Sequence, residues 1–74
     1  MGWILNRYNR RSAKKFGWDP SWLNSRYYDN VLERRIKSFQ ASHDLKVDGM
    51  VGTNTFRRMQ LHNEMRQDSL EKTN

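Results

Sequence analysis

Leu32, Ile36 and Phe39 recur at i, i+4 and i+7, a spacing that predicts a helix over residues 30–43 with one apolar stripe. Asp29 or Asn30 is suited to cap it, Glu33 and Lys37 form an i, i+4 pair in the favourable order, and Arg34 and Arg35 face outward. Upstream, Leu5, Tyr8, Ser12 and Phe16 fall near one face of a helix over residues 3–16, and Arg7, Arg10, Arg11 and Lys14 make the opposite face basic. Gly17 is placed to end that helix, with Lys14 and Lys15 favourably set against its dipole. A third helix is predicted from about Asn54 to Met65, with Thr53 as its N-cap and Phe56 and Met59 turned to the core. Leu61 and Met65 lie well around that helix from Phe56, which predicts a second neighbour or a partner.

The connectors carry their own signals. In the first, Asp19 can cap a single helical turn opened by Pro20. Trp18, Trp22, Tyr27 and Tyr28 either cover the core or offer ring surfaces to a sugar or peptide, and at least one of the two tyrosines is expected to face solvent. In the second, Leu45 and Val47 alternate with polar neighbours, which predicts a brief extended segment pinned to the core. Asp48-Gly49 is turn chemistry: the carboxylate can accept nearby backbone N–H groups, and glycine supplies a positive φ. Gly52 punctuates the chain again. The expected architecture is all-α, a small three-helix bundle with a short extended loop. Residues 1–65 form one domain, its motif-bearing part at 28–60, followed by a polar tail over 66–74 expected to be disordered.

Composition narrows the classes of function. The chain has 74 residues, 35% of them hydrophobic, and its mean hydropathy is −1.11, so its nine aromatic rings must supply much of the core area. There is no cysteine, hence neither a disulfide framework nor a thiolate metal site. No apolar run approaches a membrane span, and the first residues lack the basic and apolar regions of a signal peptide, so synthesis in a cytoplasm is expected. The net charge is +6, of which +5 falls on residues 1–28. That bias is either a solvated surface or a preference for an anionic partner. The apolar face of the first helix is narrow, so membrane insertion is not expected.

Catalytic and metal chemistry finds little material. His43 and His62 lack clustered Cys, His or carboxylate partners for zinc, and Gly49 and Gly52 have neither the spacing nor the Lys-Ser/Thr of a phosphate loop. Glu33 stands among arginines, where ion pairing accounts for it better than general-acid work. The reading is a non-enzyme with no cofactor and no metal.

Residues 36–59 resemble the helical peptidoglycan-binding domain found in phage endolysins and bacterial wall hydrolases. Phe39-Gln40, Leu45, Val47, Asp48-Gly49, Val51, Gly52, Thr55 and Phe56 match its pattern, and Tyr28-Asp29 resembles the segment before the family's second helix. Thr53 stands where the family often has proline, and residues 3–16 lack its Leu-Gln-x-x-Leu signature. The resemblance implies recognition of stem peptide or glycan in a shallow groove beside the Asp-Gly loop. Tyr28 would be the stacking surface and Asn54, Arg57 and Arg58 the polar contacts, with Asp48, Gly49, Gly52 and Thr53 holding the loop. Action would then be at the cell wall. The alternative is a free-standing, basic, phage-type protein in a host cytoplasm, binding a host protein or nucleic acid through Arg7, Arg10, Arg11 and Lys14.

Overall fold

A computed structural model describes the backbone of residues 2–72 and the side chains of residues 2–64. It contains three helices, α1 (Gly2–Phe16), α2 (Asn30–Ser42) and α3 (Thr53–Lys72), with a 3-10 turn at Pro20–Leu23 and no strand among the described residues. Gly17 ends α1 at φ 82, its N–H donating to the Ala13 carbonyl at 2.8 Å. Asp19 caps the 3-10 turn by accepting from the Ser21 N–H, with Pro20 opening it. That bond holds the Asp19 carboxyl below its ordinary pKa. Asp29 caps α2, one carboxylate oxygen accepting from the N–H groups of Val31 and Leu32 at 3.1 and 3.2 Å. Asp29→Ala is expected to cost about 1 kcal/mol of stability, read as a shift in the urea midpoint without a change in slope.

The end of α2 is a two-bond turn. The Leu45 N–H donates to the Gln40 carbonyl at 2.8 Å and the Asp44 N–H to the Ala41 carbonyl at 3.4 Å, with Asp44 left-handed at φ 56. This redirects the chain into residues 45–52, which carry no regular structure. Leu45 is half-buried, but Val47 is 52% exposed. The expected core-pinned extended segment is therefore corrected, because side chains from the helices hold the segment by its backbone instead. The start of α3 is corrected too. The Gly52 carbonyl accepts the first helical bond, from the Phe56 N–H at 2.9 Å, so Gly52 sits at the N-cap and Thr53 is the first helical residue. The helix continues to Lys72, past the predicted end near Met65, since no glycine or proline interrupts residues 53–72. Residues 73–74 of the expected tail, and the side chain of Met65, lie outside the described residues.

Ala13, Trp18, Leu23, Leu32, Ile36, Val51 and Met59 form the core. Phe56 bridges two elements around it, stacking on Phe16 at 4.9 Å and on Trp22 at 6.2 Å. The inner face of α1 differs from the predicted one. Asn9, Ser12 and Ala13 are buried, Leu5 and Phe16 are half-buried, and Tyr8 is 38% exposed. Two of the three buried side chains on α1 are thus polar, and their partners lie in the 48–52 loop.

Candidate functional site

That loop is built almost entirely from hydrogen bonds to side chains. Gln40, fully buried on α2, accepts at Oε1 from the N–H groups of Asp48 (3.0 Å) and Gly49 (2.9 Å). Its Nε2 faces three acceptors, the Asp48 carboxylate at 2.9 Å, the Met50 carbonyl at 3.1 Å and the Thr55 hydroxyl at 3.2 Å. From the other side, Asn9 donates to the Gly49 carbonyl and accepts from the Val51 N–H, both at 2.9 Å. The Ser12 hydroxyl donates to the Val51 carbonyl at 2.6 Å and accepts from the Trp18 indole N–H at 2.9 Å. Asp48 closes the turn by accepting from the Met50 N–H. Gly49 is left-handed at φ 75, and a Cβ there would lie 3.1 Å from Lys37 Cε and 3.4 Å from Glu33 Cγ. Among the described residues no buried side-chain nitrogen or oxygen lacks a partner.

The consequence is a rigidly placed N-terminus for α3. Asn54, Arg57 and Arg58 project from its first turns and, with Leu45 and Leu61, line a shallow groove of about 420 Å³. Two guanidinium groups and one amide converge there with no carboxylate in the lining, an arrangement suited to carboxylate-bearing ligands. Leu61, 51% exposed, supplies an apolar contact on the rim. Asp48, Gly52, Thr53 and Asn54 border a neighbouring hollow of about 240 Å³ on the loop side.

The structure brings Asn54, Arg57 and Arg58 together but does not place Tyr28 with them. Tyr28 packs beside Trp18 at 6.1 Å, and the Arg10 guanidinium sits 5.3 Å from its ring centre. Burial and the Asp19 carboxylate raise the pKa of its hydroxyl, partly offset by Arg10. Its surfaces are engaged within the fold, while Tyr27, 67% exposed, is the tyrosine that faces solvent. Arg7, Arg10, Arg11 and Lys14 are all exposed on the outer side of α1, where Trp3 is 67% and Ile4 52% exposed. That face has no carboxylate of its own helix to neutralise it.

His43 and His62, distant in sequence, meet at 5.8 Å between ring centres, with Phe39 packed against both. No group of three potential metal ligands occurs among the described residues. Burial, followed by the charges of Arg58 and His62, lowers the His43 pKa from 6.5. The unfolded chain therefore takes up this proton first. Stability should be complete above pH 6.5 and fall as pH drops through the lower folded value, and His43→Asn should flatten a plot of urea midpoint against pH in that window.

In the sequence, Asn9 carries no motif of its own, and Gln40 stands out only as half of the Phe39-Gln40 pair. The available signal is a polar residue on the core-facing side of the first two predicted helices, Asn9 with Ser12 at i, i+3 and Gln40 beside Phe39. No helix among the described residues is long and apolar enough to cross a membrane. Neither the curated proteins nor the solved structures give a match to this chain. The family model of the peptidoglycan binding domain matches residues 14–59, from the end of α1 through the loop to Met59, and this spans the Gln40 clamp and the first turns of α3. With more than half of its length matched, the chain belongs to the peptidoglycan binding domain family.

Proposed function

We propose that the protein acts by binding, without catalysis, and that the groove at the start of α3 receives the carboxylates of peptidoglycan stem peptides at the cell wall. The observation that carries this reading is the convergence of Asn54, Arg57 and Arg58 on one groove free of acidic residues, beside a loop fixed by Gln40 and Asn9. Backbone N–H groups at the start of α3 add to the attraction for anions. Asp48, Gly49, Gly52 and Thr53 serve the site by holding the loop and the helix start. Arg57 and Arg58 are exposed, so their removal should leave stability within about 0.5 kcal/mol. Arg58→Ala, and more so the Arg57→Ala/Arg58→Ala pair, should reduce co-sedimentation with purified sacculi several-fold at an unchanged urea midpoint. Undiminished sedimentation of the double variant would remove this groove from the function.

A second reading is favoured by one observation, the uninterrupted basic outer face of α1, most of which precedes the matched segment. On that reading Arg7, Arg10, Arg11 and Lys14 bind a host protein or nucleic acid. Nucleic-acid binding would weaken steeply with salt, and Arg10→Ala/Arg11→Ala would flatten the slope by about two charges' worth. A protein target would survive nuclease treatment in a pull-down. Retention on sacculi by the α1 variants, with loss in the Arg57/Arg58 variants, decides for the first reading.

A further inference from the structure

The outer side of α1 carries more than positive charge. At 3.6 residues per turn, Trp3, Ile4, Arg7, Arg11 and Lys14 share one arc of roughly 100°, and Tyr8 and Lys15 extend it toward the start of α3. An indole and an aliphatic side chain thus stand in solvent among cations, on the side of α1 away from its half-buried Leu5 and Phe16. Arg10 is turned aside, its guanidinium over the ring of Tyr28 at 5.3 Å. The edge of the arc is hollow. About 300 Å³ lies between α1 and the first residues of α3, with Tyr8, Arg11, Lys15, Phe16 and Thr53 along it and no carboxylate in its lining. The Tyr8 hydroxyl stands 3.7 Å from where a Cβ on Gly52 would lie, and the Lys15 ammonium sits 5.4 Å from the centre of the Phe16 ring.

A guanidinium, an ammonium and two hydroxyl groups around one hollow suit a phosphate, whose oxygens accept hydrogen bonds from all four. Phosphate alone leaves Trp3 and Ile4 without a purpose. Isoleucine cannot stack on a nucleobase and gains nothing against a hydrated polyanion. A bilayer takes up an indole at its interface and an aliphatic group just beneath, while its headgroups meet the cations. We infer that α1 rests lengthwise on an anionic phospholipid surface, Trp3 and Ile4 dipping between headgroups and one headgroup phosphate seated in the Tyr8–Arg11–Lys15 hollow. The charges are complementary, since α1 carries Arg7, Arg10, Arg11, Lys14 and Lys15 and no carboxylate. The helix lies on the surface and does not cross it. None of the residues of the α3 groove takes part, so the inference stands apart from the peptidoglycan reading, and it gives the basic face a lipid surface in place of a host protein or nucleic acid.

The test is co-sedimentation of the full chain with vesicles of phosphatidylcholine and of equimolar phosphatidylcholine and phosphatidylglycerol, alongside tryptophan emission. The mixed vesicles should bind the protein and shift its emission to the blue as Trp3 leaves water, and the neutral ones should not. Arg11→Gln/Lys15→Gln should weaken binding about twentyfold, at roughly fivefold for each charge near the surface. Arg34→Gln/Arg35→Gln removes the same charge from α2 and should change binding by less than about twofold. Trp3→Ala/Ile4→Ala keeps every charge and should weaken binding about tenfold or more. All six residues are exposed, so none of these variants should move the urea midpoint, which separates lost docking from lost folding. Soluble glycerol phosphate in excess should leave vesicle binding in place. Displacement by glycerol phosphate would make the hollow a site for free phosphate and overturn the membrane assignment. Equal losses in the α1 and α2 charge pairs, or indifference to Trp3→Ala/Ile4→Ala, would overturn it as well. So would an oligonucleotide that binds more tightly than the mixed vesicles and does not depend on Trp3 and Ile4.

Discussion

Gln40→Leu is expected to lower the unfolding free energy by about 4 kcal/mol, more than any other single substitution at the loop. Leucine fills similar space, so the loss is one of hydrogen bonding rather than volume. The N–H groups of Asp48 and Gly49 lose their acceptor, and the Met50 carbonyl, Asp48 carboxylate and Thr55 hydroxyl lose a donor, all around a side chain with no exposed surface. Each buried group left without a partner costs about 1–3 kcal/mol, and water reaching the more exposed of them, such as Asp48, limits the sum. A domain of this length has roughly 4–11 kcal/mol of stability in total, so the variant should be partly unfolded at room temperature. Chemical denaturation against the parent checks this. Gln40→Glu sharpens the test, because it keeps the shape and one acceptor but sets a carboxylate against that of Asp48. It should be nearly as damaging at neutral pH and partly restored at pH 4, where the added carboxyl takes up a proton.

Asn9→Ala should cost about 3 kcal/mol, from the far side of the same loop. The Gly49 carbonyl and the Val51 N–H lose the one side-chain partner they have among the described residues, and both residues are buried. The two bonds also tie α1 to a segment 40 residues away, so their loss loosens long-range packing as well as the turn. A double-mutant cycle between Asn9→Ala and Gln40→Leu should be non-additive by about 1 kcal/mol or more, since both side chains hold Gly49. Sacculus binding by Asn9→Ala should fall only with the folded fraction. A residue of the binding surface behaves in the opposite way, losing binding while the fold is retained.

That opposition assigns the motif chemistry of the loop to architecture. Asp48 and Gly49 shape the turn, Gly52 opens α3, and the groove residues that touch solvent come one turn later. Thr53, read from sequence as the cap, yields that place to Gly52, whose carbonyl accepts the first helical bond. The position of a helix start is fixed by where the loop lets the backbone turn, and a good capping side chain one residue on does not move it.

Local chemistry was sufficient for much of the molecule. The apolar spacing of Leu32, Ile36 and Phe39 gave α2, the Asp19-Pro20 pair gave the short turn, and Asp29 and Gly17 marked helix ends, because each depends on neighbours within about four residues. The Phe39-Gln40 and Asp48-Gly49 spacing was enough to point to the family. What only the tertiary structure decided is which polar side chains are inside and which aromatic rings are free. Asn9 and Gln40 fall on the core-facing sides of their helices, but nothing within a few residues satisfies them there, and the loop's backbone groups reach them from 40 and 9 residues away. Tyr28 and Trp22 look alike in the connector, yet Tyr28 is taken up by Arg10 and Trp18 while Trp22 lines a groove. Burial of a polar group is favourable only when a partner arrives to satisfy it, and for this chain those partners are backbone atoms whose position no local pattern encodes.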